Sequence, residues 1–290
     1  AVSGALPPRE CANYGAMSCC VRSMEVSTLH TLPMSHYCEL ARWSLQLANE
    51  PYEEVFYLPA FHMLCGPQSG VRKNKQHVSS TGEKASLPCF FNKQGEVLDD
   101  SWSIATKYRG AIPDDLKEVL EKKVGPATRT LVYSFILKPE MSKQFRDMGV
   151  GLPAPWWQKR AWSFASPKIA KVMFDGMVKN DEYVAQQRKT LNEAITELNA
   201  MMKERPELFK DHEDGRPSVC AISIASLFAP VVMPDNYSGG LFDLMAITGG
   251  ASAWPDAFHD MVNEMKATPV GQFTMAVYKR RLDMPAAKNA

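Results

Sequence analysis

Residues Met24–Pro59 read MEVSTLHTLPMSHYCELARWSLQLANEPYEEVFYLP, and this stretch decides the fold. Glu25–Leu29 is short and contains β-branched residues, and it closes on His30-Thr31-Leu32-Pro33, which predicts a strand running into a loop. From Tyr37 the apolar positions Tyr37, Leu40, Ala41, Leu45, Leu47 and Ala48 keep a helical period. Glu39, Arg42, Gln46 and Asn49 fall on the other side, so an amphipathic helix with a polar outer face is expected. Ser35 is its natural N-cap. Pro51 disfavours helical backbone at Glu50 and ends the helix, after which Tyr52–Leu58 reads as a second strand. The product is a β-α-β unit whose turn carries Ser35-His36-Tyr37-Cys38.

Working outward, the chain carries Leu87-Pro88-Cys89-Phe90 and then Gly95-Glu96-Val97-Leu98-Asp99-Asp100-Ser101, followed by Ile104 and Tyr108. The Ser-x-x-Cys turn with Arg42 seven residues after Ser35, Pro51-Tyr52-Glu53-Glu54-Val55, Leu87-Pro88 and the acidic-Ser helix start occur in this order. Together they resemble the thioredoxin-like half of the glutathione transferases, in which Leu87–Phe90 matches the strand that opens with a cis-proline and Gly95–Ser101 the last hairpin and the acidic-Ser helix start. The resemblance covers about Met24 to Leu282 and is specific in the first part and diffuse in the second. It implies a thioredoxin-like α/β glutathione-binding domain over 24–110 and an all-α helical domain over 113–290, and leaves 1–23 outside it as an N-terminal extension.

The helical reading also stands on the residues themselves. Ile112-Pro113 looks like a linker, with Asp114-Asp115 suited to a first helical turn. Leu116, Val119, Leu120 and Val124 give one apolar face that Gly125-Pro126 is expected to break, and Leu131, Val132, Phe135 and Ile136 give another. Val184, Leu191, Ile195, Leu198 and Met201 predict a longer helix. Ser218–Met233 is apolar nearly all round, as a central buried helix is. It resembles the family's buried helix with Ser218 as cap, but Ala221 stands where the family has an Asp. The missing half of the capping exchange is worth about 1 kcal/mol.

The 290 residues, 45% hydrophobic and 22% charged, are enough for one or two ordinary cores, with two the better reading. A formal net charge of +1 with dispersed Lys and Arg gives no electrostatic footprint for nucleic acid or an anionic membrane surface. The apolar run Val219–Met233 is shorter than the roughly 18 to 20 residues needed to cross a bilayer. Cys11, Cys19, Cys20, Cys38, Cys65, Cys89 and Cys220 are odd in number and lack paired Cys-x-x-Cys spacing, so no metal is expected. Free thiols in a reducing compartment, cytosol or plastid, are the simplest reading. Ala1–Ser23 and the loop-like Leu58–Pro88 connection with Arg72-Lys73-Asn74-Lys75 lie outside the family pattern. Both are candidate docking segments, with a solvated loop the plainer account of the basic cluster.

An ordinary thiol, with a pKa near 8.5, is about 3% ionised at pH 7. Lowering its pKa by two units takes about 2.7 kcal/mol. A helix N-terminus supplies about 0.3–1 kcal/mol, whereas a hydroxyl bonding an anion supplies about 1.5–3. The dipole alone is therefore insufficient, and dipole plus hydroxyl suffices. The resemblance places Ser35 at the catalytic position, as the stabiliser of a glutathione thiolate; plain N-capping is the alternative.

It also implies that Leu87 and Pro88, through a cis peptide bond, present backbone to glutathione, and that Asp100 and Ser101 bind its γ-glutamyl end. Both could instead be caps. Cys38, one turn inside the helix, reads as structural. His36 stands where relatives often have Pro; a ligand carboxylate is one partner for it, and a surface position is the plainer reading. Trp156, Trp157, Trp162 and Tyr133 are candidates for a hydrophobic acceptor pocket or for core. The implied cosubstrate is glutathione, and the partner is a small hydrophobic electrophile. A homodimer or a larger protein complex is the partner state to expect. The rival reading is a non-catalytic subunit or docking protein of a larger assembly, with the plastid as one compartment for it. A thiol oxidoreductase is disfavoured, because Ser35 removes the dithiol that exchange requires.

Overall fold

The computed structural model describes residues 26–66 and 86–282, so expectations for the N-terminal extension and most of the 59–87 connection fall outside the described residues. The first part runs β1 (Ser27–Thr31), α1 (His36–Leu47), β2 (Tyr52–Phe56), α2 (Phe61–Cys65), β3 (Cys89–Phe91), β4 (Val97–Leu98) and α3 (Ser101–Arg109). The strands form one sheet in the order β2-β1-β3-β4. β1 pairs parallel with β2 and antiparallel with β3, and β3 pairs antiparallel with β4. β2 stops two residues before the predicted Leu58. The Leu58 N–H is taken by Gln158 Oε1 at 2.9 Å, and Pro59 has none to give a ladder.

The second part is helical: α4 (Asp114–Val119), α5 (Gly125–Ile136), α6 (Ser142–Gly151), α7 (Trp156–Met177), α8 (Asp181–Glu204), α9 (Val219–Val232), α10 (Leu244–Ile247), α11 (Asp256–Ala267) and α12 (Pro269–Leu282). Gly125-Pro126 does not break the chain as expected. Leu120–Val124 forms a π-helical turn that joins α4 to α5. The wider turn accommodates the missing N–H and the ring of Pro126 at the start of α5. α9 is buried on every side and capped by Ser218, whose Oγ accepts from Ala221 N–H at 3.1 Å and donates to Leu208 C=O at 2.7 Å.

The sharpest departure from expectation is α1, which lacks a solvent face. Ala41 and Leu45 pack with Leu29, Phe90 and Ile104 against the sheet. Leu40, Trp43 and Leu47 belong to the large core shared with the helical part. The polar residues Glu39 and Arg42, read from sequence as outward, are 0% and 1% exposed. The C-terminal helix α12 covers them, and charges become inward-facing because they are paired there. Arg42 forks onto Glu54 through Nε at 3.0 Å and Nη2 at 2.6 Å and reaches Glu39 through Nη1 at 2.8 Å. Glu39 also accepts from Tyr278 Oη at 3.1 Å, from Ser238 N–H at 3.0 Å, and from Arg281. Arg281 lies over the Trp43 ring and bonds Gln46 Oε1 at 2.8 Å. Two carboxylates and two guanidinium groups thus balance within the interior, as buried charges must.

Candidate functional site

The sheet register carries the predicted site residues toward one end. His30 lies opposite Cys89, so one further step along β1 and β3 faces Thr31 with Pro88, immediately before the loop to Ser35. Phe90 lies opposite Leu98, so the same direction brings Asp100 level with Pro88. The Ser35 turn, the Leu87–Pro88 entry and the Asp100–Ser101 helix start therefore share one sheet end. The Leu87–Pro88 peptide bond is cis.

Ser35 has extended backbone (φ −77, ψ 125) and caps α1, accepting from Cys38 N–H. That contact is long, 3.4 Å, and uses only a lone pair, so the hydroxyl hydrogen is left to the Cys38 sulfur or to an acceptor in front of the turn. Cys38 is fully buried. Burial pushes its thiol up to about 11, outweighing the Leu32 N–H, the Ser35 hydroxyl and Arg42, which pull the other way. Such a thiol is protonated at neutral pH and packs as an apolar group.

His36 is not the surface residue its position suggested: it is 5% exposed, tilted against the Tyr37 ring at 4.4 Å. Burial, reinforced by nearby Arg129 and opposed by a backbone hydrogen bond with Gly125, pushes it down to about 3. Gly125 is what admits these two rings. A Cβ there would stand 2.1 Å from Tyr37 Oη and 3.4 Å from His36 Nε2.

Asp100 caps α3, its Oδ1 accepting from Trp102 N–H at 2.8 Å and Ser103 N–H at 2.9 Å. Ser101 is 2% exposed. The predicted tryptophans do not converge: Trp162 is fully buried against Phe145 and donates to Arg146 C=O at 3.1 Å, whereas Trp156 is 76% exposed. Trp157 is edge-on to Phe61 at 5.9 Å.

Sequence reading missed what holds the loop before Ser35. A short turn, Tyr237–Gly240, reaches over from the helical part. Tyr237 Oη donates to Met34 C=O at 2.8 Å and Ser238 Oγ to Pro33 C=O at 2.6 Å. Ser238 is fully buried and left-handed, with φ 57. The Ser-Gly-Gly run signalled a turn but not its target. Arg129, in mid-helix, carried no signal at all. Among the described residues no group of three or more His, Cys, Asp or Glu is placed to hold a metal, and no helix is long and apolar enough to cross a membrane.

This fold and turn define the class: a thioredoxin-like sheet with an all-helical partner, the glutathione-transferase-like fold. A glutathione S-transferase of Ceriporiopsis subvermispora, solved in complex with glutathione, superposes with a TM-score of 0.50 over 90% of this chain and 99% of that one, at 13% identity. A glutathione transferase of Phanerochaete chrysosporium gives 0.46 over 90% and 97%, at 11% identity. The glutaredoxin 2 of Salmonella typhimurium, in complex with glutathione, gives 0.38 over 88% and 99%, at 12% identity. No family model matches the chain, and no curated protein matches it by sequence.

Proposed function

We propose that the chain binds glutathione at the Ser35 turn and transfers its thiolate to a small hydrophobic electrophile. The observation that carries this reading is the pairing of a half-buried hydroxyl at the N-terminus of α1 with a buried, protonated Cys38 behind it. A hydroxyl in that place stabilises a sulfur anion held in front of the helix, and the missing second reactive thiol leaves transfer rather than disulfide exchange. The Leu87 backbone holds the cysteinyl part of the peptide, and the Asp100–Ser101 helix start takes its γ-glutamyl end. Further support comes from the fold neighbour solved with glutathione.

Calorimetry at millimolar glutathione tests binding; no heat and no thermal shift would remove the reading. Ser35→Ala should keep the fold and lower turnover about 10- to 100-fold, the loss of about 1.5–3 kcal/mol of thiolate stabilisation.

A second reading, a non-catalytic subunit of a larger assembly, is favoured by a different observation. Trp156 (76%), Phe164 (80%) and Leu64 (78%) are large apolar side chains left exposed. Gel filtration of wild type and a Trp156→Ser/Phe164→Ser variant, with turnover measured on each fraction, separates the readings. An oligomer that dissociates in the variant and shows no transfer supports the subunit; transfer by the wild-type fraction leaves the transferase.

A further inference from the structure

We propose that Arg129 anchors a carboxylate on the acceptor, so that the electrophiles this chain takes are those carrying an acidic group. This rests on the glutathione-transfer reading above.

Gly125, Arg129 and Tyr133 are spaced four apart on α5 and so lie on one face of the helix, about 6 Å apart along its axis. That face meets the beginning of α1. Gly125 is in contact range of Tyr37 and His36, the residues that follow Ser35. The charge of Arg129 lowers the pKa of both His36 and Tyr133. Arg129 is thus the cation that the helical wall presents beside the thiolate turn.

What distinguishes it is its lack of partners. Around α1, Arg42 and Arg281 are saturated by Glu39, Glu54 and Gln46, and Arg216 bonds the Leu47 carbonyl. Arg129 makes no ion pair or hydrogen bond among the described residues, and its Nε is buried and unpaired. Buried donors without acceptors are rare in folded proteins and call for an explanation. A planar guanidinium fork matches a carboxylate in two parallel hydrogen bonds, with charge to match. Because Arg129 lies on the helical wall and not on the strand edge that holds the peptide, the acid it meets belongs to a molecule approaching the sulfur from the helical side.

Transfer to such an acceptor is balanced without an oxidant. The thiolate forms a sulfur–carbon bond at the β-carbon of an activated alkene. The alkene electron pair moves to the carbonyl oxygen as an enolate, and water returns the proton.

The test uses benzoylacrylic acid and its methyl ester with wild type, Arg129→Gln and Arg129→Lys, each rate corrected for the uncatalysed reaction. The acid-to-ester ratio of kcat/KM should fall about 10- to 100-fold in Arg129→Gln, mainly through KM, and less in Arg129→Lys. A ratio unchanged in Arg129→Gln overturns the anchor. So does a weakened glutathione Kd at unchanged ratio, which places glutathione's own carboxylate at Arg129. If wild type binds no glutathione and converts neither compound, the transferase reading fails separately. The anchor is then decided by calorimetry with the saturated benzoylpropionic acid: binding by wild type that Arg129→Gln loses supports it, and no binding by wild type overturns it.

Discussion

His36 and His30 show how burial near the turn sets a pH response. His36 is held near 3 against an ordinary 6.5, chiefly by burial, and His30, stacked on Tyr57, is held near 4 for the same reason. The folded pKa is the lower one, so as pH falls the unfolded chain takes up the proton first. Stability from keeping each ring neutral is therefore complete above about 6.5 and is lost progressively as pH drops toward 3 or 4, by up to about 1.4 kcal/mol per pH unit for each ring. Urea midpoints should fall between about pH 7 and pH 5. His36→Gln should remove one proton's share of that slope, and a slope unchanged by the substitution would show that His36 charges freely in the fold. At the same scale, Cys38→Ala should cost about 1 kcal/mol or more of stability and leave the pH profile of turnover in place. A profile that moves would make Cys38 the reactive thiol.

At the scale of elements, the loop ahead of α1 is positioned by the Tyr237–Gly240 turn and not by its own sequence. Ser238→Ala removes the hydroxyl that bonds Pro33 C=O and keeps a side chain in the left-handed region. We expect a loss of about 1–3 kcal/mol in urea unfolding, together with a fall in kcat as Ser35 loses its fixed place. Ser238→Gly, free of the left-handed cost, should be the milder of the two. Equal effects would argue that the hydroxyl alone matters.

Legibility divides along the same line. The β-α-β unit, the cap at Ser35 and the buried α9 could be read because each is a local pattern of period, cap and breaker. The inward turn of Glu39 and Arg42 could not, since an amphipathic period reports polarity and not what later covers it. Nor could the continuity of α4 into α5, because Gly-Pro is a breaker only where the helix cannot widen. Arg129 was illegible for a third reason: its significance is a missing partner, which only three-dimensional placement reveals.

For the molecule as a whole, α1 belongs to two cores at once, so the sheet and the helices should unfold together. Tryptophan fluorescence and far-UV circular dichroism are expected to give coincident urea transitions; two separated transitions would contradict a shared α1. Glu39→Gln weakens the one acceptor that joins Arg42, Tyr278, Ser238 and Arg281, and should cost about 3–5 kcal/mol, because two guanidinium groups stay buried with too few acceptors. A cost below about 1 kcal/mol would mean that water reaches the cluster.

The same pairing has a consequence for biosynthesis. Glu39 and Arg281 are 242 residues apart in the chain. At about 5–20 residues per second, the ribosome needs roughly 12 to 48 s between making one and making the other. Throughout that interval the nascent sheet and α1 carry a carboxylate and an arginine whose full complement of partners has not been made. The usual order, in which an N-terminal unit matures while the rest is translated, is closed to this chain. A ribosome-stalled product lacking α12 should therefore be degraded rapidly by added protease, and holding such a chain until its last helix emerges is work for a chaperone.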